Sequence, residues 1–131
     1  MAIDEKLTLL KGEKALVTGA TRGIGKSIAD EFAKAGAMVI GTATTKEGAE
    51  NISNRLSSTD LDGHGIVLDV ASTEQISETI KTLKQSDLMP SILVNNAGIS
   101  LENLLMRIKE EEWEKVIAIN LSLSNPFFSE T

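Results

Sequence analysis

A short apolar run, Lys14-Ala15-Leu16-Val17-Thr18, passes without a spacer into Gly19-Ala20-Thr21-Arg22-Gly23-Ile24-Gly25, and this junction restricts the chain to few folds. The run has the composition of a parallel strand buried on both faces. Three glycines spaced G-x-x-x-G-x-G let a backbone turn tightly and come close to a ligand, where a Cβ would obstruct it. Beyond them Ile24, Ile28, Ala29 and Phe32 recur at helical spacing as far as Gly36, a residue suited to stop the helix. A strand, a glycine turn and a helix N-terminus present unpaired N–H groups and the positive end of a dipole, which suits a pyrophosphate. Spacing separates the motif from two others. It is not G-x-G-x-x-G, and although Gly25-Lys26-Ser27 occurs, the first glycine of a P-loop would fall on Ala20. Taken alone, the loop is also compatible with a turn that holds nothing.

The strand-then-helix unit repeats along the chain. Residues 38–41 are expected to form a strand, 46–57 a helix with Ala49, Ile52 and Leu56 on one face, and 65–70 a strand. Ser72 opens a third helix, with Gln75 placed to complete a capping box and Ile76, Ile80 and Leu83 as its apolar face. A fourth strand is expected at 92–94, and a fourth helix at 110–119 with Trp113, Val116 and Ile117 inward. Alternating units of this size predict a Rossmann-like α/β fold. Its doubly wound parallel sheet, incomplete on one side, has strand order 3-2-1-4, with ligands at the strands' carboxyl ends. The 131 residues read as one domain.

Composition removes several function classes. A net charge of −6 and 3% aromatic content argue against nonspecific nucleic-acid binding, which needs positive charge and stacking surfaces. There is no Cys, hence no disulfide framework. The start at Met1-Ala2-Ile3-Asp4-Glu5 lacks the basic and apolar regions of an export signal, and no apolar run approaches a membrane span, so the expected location is cytoplasmic. His64, flanked by Asp62, Gly63 and Gly65, reads as a solvated loop residue. Glu110-Glu111-Glu112 reads as first-turn acids that complement a helix dipole rather than as a metal site, and no metal is expected.

In order and spacing, Thr18 to Gly25, Asp69-Val70, Asn95-Asn96-Ala97-Gly98 and Asn120 resemble the short-chain dehydrogenase/reductases, and the resemblance covers residues 10–121. Within that family, Gly41-Thr42-Ala43-Thr44 and the stretch from Gly98-Ile99 through Asn103-Leu104-Leu105-Met106-Arg107 to Glu112-Trp113 are similar to the bacterial reductases that act on 3-oxoacyl thioesters of acyl carrier protein. The resemblance implies NADP(H) as cofactor and a homotetramer as assembly. It places the backbone of Gly19, Ala20, Thr21, Arg22 and Ile24 around the pyrophosphate and adjoining ribose, with Gly23 and Gly25 keeping the loop open. Arg22 and Thr44 would hold the 2′-phosphate, and no Asp or Glu between Val39 and Thr45 favours a bare ribose. Asp69 would accept from the adenine amino group, with the Val70 amide beside the ring. Asn96, Ala97 and Gly98 would line the adenosine ribose, while Asn95 would tie strands together. Asn120 matches the Asn that positions a water for the proton relay.

Plainer roles stand beside these. Arg22 is also readable as a solvated loop charge and Asp69 as a turn residue before a helix, and Asn120 equally as a helix-terminus residue. The family's catalytic Ser and Tyr-x-x-x-Lys have no counterpart here: the sequence contains no Tyr, and Ser122, Ser124 and Ser129 surround Pro126 in a different pattern. Two function classes therefore remain. One is the cofactor half of an NADPH-dependent reductase, and the other is a noncatalytic chain that binds nucleotide.

Overall fold

Strands and helices alternate along the chain in a computed structural model, which describes residues 9–96, 101–111 and 116–121. In chain order the elements are β1 (Lys14–Val17), α1 (Gly23–Lys34), β2 (Met38–Ala43), α2 (Lys46–Ser58), β3 (Gly63–Val67), α3 (Thr73–Gln85), β4 (Ile92–Asn95), α4 (Leu101–Glu110) and β5 (Ile117–Asn120). The strands form one parallel sheet in the order β3-β2-β1-β4-β5. This is the expected Rossmann-like α/β fold, with the order 3-2-1-4 extended by one strand beyond β4.

Two apolar layers explain why the central strands carry consecutive hydrophobic residues. Ala15, Val17, Val39, Ile92 and Val94 face α1 and α2, meeting Ala29, Ala33, Ala49, Ile52 and Leu56. Leu16, Ile40 and Leu93 face the other way, onto Ile76, Ile80 and Leu83 of α3 and Leu104 and Ile108 of α4. Successive strand residues point to opposite faces, so covering both faces demands an unbroken apolar run. Each large aliphatic side chain removed from water contributes about 1.5–3 kcal/mol. Ser91 joins the strand starts: its Oγ accepts from Lys14 N at 3.0 Å and donates to Lys14 O at 3.3 Å. No helix among the described residues is long and apolar enough to cross a membrane.

His64 departs from its expected loop position. It lies half-buried within β3, paired in register with Ile40. Its glycine neighbours reflect close packing rather than a turn. A Cβ on Gly65 would run into the Ala49 carbonyl of α2, and one on Gly63 would lie 2.8 Å from Leu56 Cδ1. Residues i and i+2 of a strand share a face, so this glycine pair lets α2 lie directly on β3. Ser53 Oγ of α2 also accepts from Gly65 N at 2.8 Å, overhanging the outer edge of the strand. Gly65→Ala is accordingly expected to lower stability by about 1–3 kcal/mol, the usual cost of overpacking. The urea midpoint should fall with little change in slope. An unchanged midpoint would mean that α2 yields freely.

Residues 110–119 depart further from expectation, because α4 lies ahead of that span and Ile117–Asn120 is a strand paired with β4. Glu112 and Trp113 lie outside the described residues. Glu110 ends a helix instead of opening one, a position unfavourable for an acid. Arg107 Nη1 offsets it at 2.8 Å from Glu110 Oε2, and Lys84 Nζ stands 3.7 Å from Glu111 Oε2. A short apolar segment cannot be assigned to helix or strand by periodicity. Here the open edge of β4 decides, and β-branched Ile117 and Ile119 suit a strand. Val116 packs against the core on the α3 and α4 side, but Ile117, expected inward, is 65% exposed on this edge strand.

The third helix is capped as expected on one side only. Ser72 Oγ accepts from Gln75 N at 3.3 Å. The return arm differs, since Gln75 Oε1 accepts from Asp69 N at 2.9 Å and so pins the turn after β3 rather than the cap residue. That turn begins earlier than expected because β3 closes at Val67, leaving Asp69 and Val70 beyond the strand.

Candidate functional site

Three buried polar residues, Thr18, Thr42 and Asn95, occur among the described residues, and all stand at the carboxyl edge of the central strands. They suspend the glycine turn that follows β1. Thr18 Oγ1 accepts from Asn96 N at 3.0 Å and donates to Asn95 Oδ1 at 3.1 Å. Gly19 N donates to Thr42 Oγ1 at 3.1 Å, and Ala20 N to Thr42 O at 2.9 Å. The loop carbonyls are held as well: Gly19 O accepts from Asn96 Nδ2, and Ala20 O from Arg55 Nη2, both at 3.2 Å. Neighbouring elements thus fix the turn from β2, from the end of β4 and from α2.

Gly25 lets α1 close onto this turn. A Cβ there would strike the Gly19 carbonyl and lie 2.6 Å from Asn96 Nδ2. The N-terminus of α1 is left bare in a way that the next two helices are not. Thr45 Oγ1 caps α2 and Ser72 Oγ caps α3, each helix with a Glu in its first turn, whereas Arg22 makes no side-chain cap bond and the first turn of α1 carries no acid. The amides of Thr21, Arg22, Gly23, Ile24 and Gly25 have no acceptor among the described residues. Orphan amides at the positive end of a helix dipole make a ready anion site. Arg22 and Lys26, both exposed, add positive charge beside them. Ile24 is 43% exposed, so the outward side of the first turn is partly apolar.

The residues singled out from sequence that the structure describes separate into three groups. Gly19, Ala20, Gly25, Asn96, Asn95 and Asn120 converge where β1 and β4 adjoin, the point at which strand order reverses. Asn95 is buried and links β1 to β5 through Thr18 and through its Nδ2, 3.4 Å from Asn120 Oδ1. Asn120 ends a strand rather than the expected helix, and stands opposite Asn95 in register. Thr21, Arg22, Gly23 and Ile24 form the bare helix start. Thr44, Asp69 and Val70 stand on the same carboxyl edge without a hydrogen bond to the loop. Thr44 is exposed directly after β2. Asp69 Oδ1 accepts from Ala71 N at 3.0 Å, the geometry of a turn residue, and Val70 packs toward the α3 core. Ala97 and Gly98 lie outside the described residues.

Sequence reasoning missed Thr42 and Arg55 as loop supports. A signal for Thr42 existed, because a hydroxyl near the carboxyl end of an otherwise apolar buried strand needs a partner. None existed for Arg55, which reaches Ala20 across 35 residues of sequence.

The family model described as short chain dehydrogenase matches residues 13–124. Among curated relatives, the 3-oxoacyl-[acyl-carrier-protein] reductase FabG of Pseudomonas aeruginosa is 50% identical over 113 residues, that of Haemophilus influenzae 49% over 113, and that of Escherichia coli K12 47% over 112. Each alignment takes in 86% of this chain but 46%, 46% and 45% of the respective relative, so the chain spans a little under half their length. A glycine turn hung at the strand-order reversal, a parallel sheet wound in both directions and a family match over nearly all of its residues agree: the chain belongs to the short-chain dehydrogenase family.

Proposed function

We propose that this chain is the dinucleotide-binding part of an NADPH-dependent reductase that converts 3-oxoacyl-[acyl-carrier-protein] to its 3-hydroxyacyl form. The observation that carries this reading is identity of about half to three such reductases over a segment that contains the amide-lined turn. The bare amides from Thr21 to Gly25 and the closeness that Gly25 permits are the structural support, since both suit a pyrophosphate lying against backbone. Arg22 and Thr44 hold the 2′-phosphate, Asp69 and Val70 the adenine, and Asn96, Ala97 and Gly98 the ribose. Asn120, steadied by Asn95, serves the proton path. Bound NADPH supplies hydride to the C3 carbonyl. The acyl chain arrives on acyl carrier protein, and the full enzyme is a cytoplasmic homotetramer.

Calorimetric titration tests the cofactor assignment. NADPH is expected to bind more tightly than NADH by one or two charge-assisted hydrogen bonds, each worth roughly 1.5–3 kcal/mol. Arg22→Ala should shrink that difference to the contribution of Thr44. Equal affinities in the wild-type chain, or a preference for NADH, would remove both residues from the 2′-phosphate.

A further inference from the structure

We propose that Arg55 is a positioning residue for the glycine turn: by holding the Ala20 carbonyl, it keeps the Thr21 N–H directed outward, toward the pyrophosphate of a bound dinucleotide. The inference rests on the dinucleotide reading above. Arg55 lies on α2 and divides its guanidinium between two partners. Nε donates to Asp30 Oδ1 on α1 at 2.9 Å, and Nη2 donates to Ala20 O at 3.2 Å. Its side chain is 21% exposed and that of Asp30 27%, so water competes only partly for either contact.

Ala20 leaves the loop little choice. It is fully buried, its methyl joins the α1–α2 core, and its N–H is taken by Thr42 O. The orientation of the following peptide plane is the freedom that remains, and Arg55 fixes it. In a trans peptide the C=O of one residue and the N–H of the next point in opposite directions. Ala20 O aimed at Arg55 therefore sends Thr21 N–H away from α2, from an exposed residue with no acceptor of its own among those described. Without Arg55, the carbonyl would be left partly buried and unpaired, an arrangement that favours rotation of the peptide toward water. Rotation would put a carbonyl oxygen where an amide had faced the phosphates, replacing attraction with repulsion. Asn96 Nδ2 holds the preceding carbonyl, Gly19 O, which lies against the first turn of α1, so side chains fix both the Gly19 and the Ala20 carbonyl.

The rival role for Arg55 is plain bracing of α1 against α2 through Asp30. Asp30→Ala and Arg55→Met both break that ion pair, and both are expected to lower the denaturation midpoint of the 131-residue chain to a similar extent. Only Arg55→Met should weaken NADPH binding, by about tenfold, or ~1.4 kcal/mol, and only it should shift the Thr21 amide resonance of the unliganded protein. Should Arg55→Met fail to fold, Arg55→Lys replaces two separate nitrogens by one ammonium, keeps the ion pair to Asp30, and carries the same expectation for Thr21 and for affinity. Equal NADPH affinity in Asp30→Ala and the Arg55 variant, or an unmoved Thr21 amide, overturns the proposal. A wild-type chain that binds neither NADPH nor NADH overturns the dinucleotide reading instead, and the Thr21 comparison then still decides whether Arg55 sets that peptide.

Discussion

Gly25→Val is expected to abolish dinucleotide binding while leaving the parallel sheet assembled. The first atom of the new side chain would meet the Gly19 carbonyl and crowd Asn96 Nδ2 at 2.6 Å, and the branched remainder has nowhere to retreat. Relief requires α1 to move off the turn, which breaks the Asn96 to Gly19 bond and scatters the amides from Thr21 to Gly25. Losing two or more hydrogen bonds to a charged ligand, at roughly 1.5–3 kcal/mol each, takes affinity down by more than a hundredfold. The strand pairings and both apolar layers lie outside the clash, so far-ultraviolet circular dichroism should stay close to wild type. Calorimetry supplies the decision. Binding retained within tenfold would show that the glycine turn is a turn and nothing more.

A polypeptide of these 131 residues alone should oxidise no measurable NADPH in the presence of acetoacetyl thioesters. Hydride arriving at a ketone builds negative charge on oxygen, which must be met by a proton or by preorganised donors as it forms. No Tyr is present to supply that proton, and the loss of one general acid typically removes ~10²–10⁴-fold in rate. Asn120 cannot replace it, because a carboxamide is no acid at neutral pH and its Oδ1 already accepts from Asn95. The assay is spectrophotometric, on protein of verified mass. Turnover within tenfold of an ordinary reductase would refute the catalytic assignment, whereas activity restored only in a polypeptide as long as the curated relatives would support it.

The strand order and the glycine turn were legible in the sequence because each depends on a pattern that short segments express locally. An apolar run at every position reads as a strand covered on both faces, and β1, β2 and β4 have such runs. Two other segments deceived for opposite reasons. Around His64 the glycines answer to a helix that arrives from elsewhere in the chain, so a tertiary cause imitated a turn signal. At Ile117–Asn120 the apolar pattern fits two periodicities, and pairing with β4 chose between them. For α4 the local pattern is present in Leu101, Leu104, Leu105 and Ile108, but the acids that follow it imitate the first turn of a helix and point downstream. Side-chain supports such as Arg55 join residues far apart in sequence, and periodicity carries no information about them.

The overhang of α2 on β3 gives the sheet unequal sides. At one side the helix lies against Gly63 and Gly65 and Ser53 occupies the Gly65 N–H, so a neighbouring strand meets a helix where it needs a row of free backbone groups. At the other side β5 has no such cover among the described residues, with Ile117 65% and Ile119 36% exposed. Edge-to-edge stacking into a fibre requires two adhesive edges on every molecule, one to receive and one to offer. Among the described residues the β3 side is therefore closed to strand pairing between copies, and there the overhanging helix acts as a chain terminator.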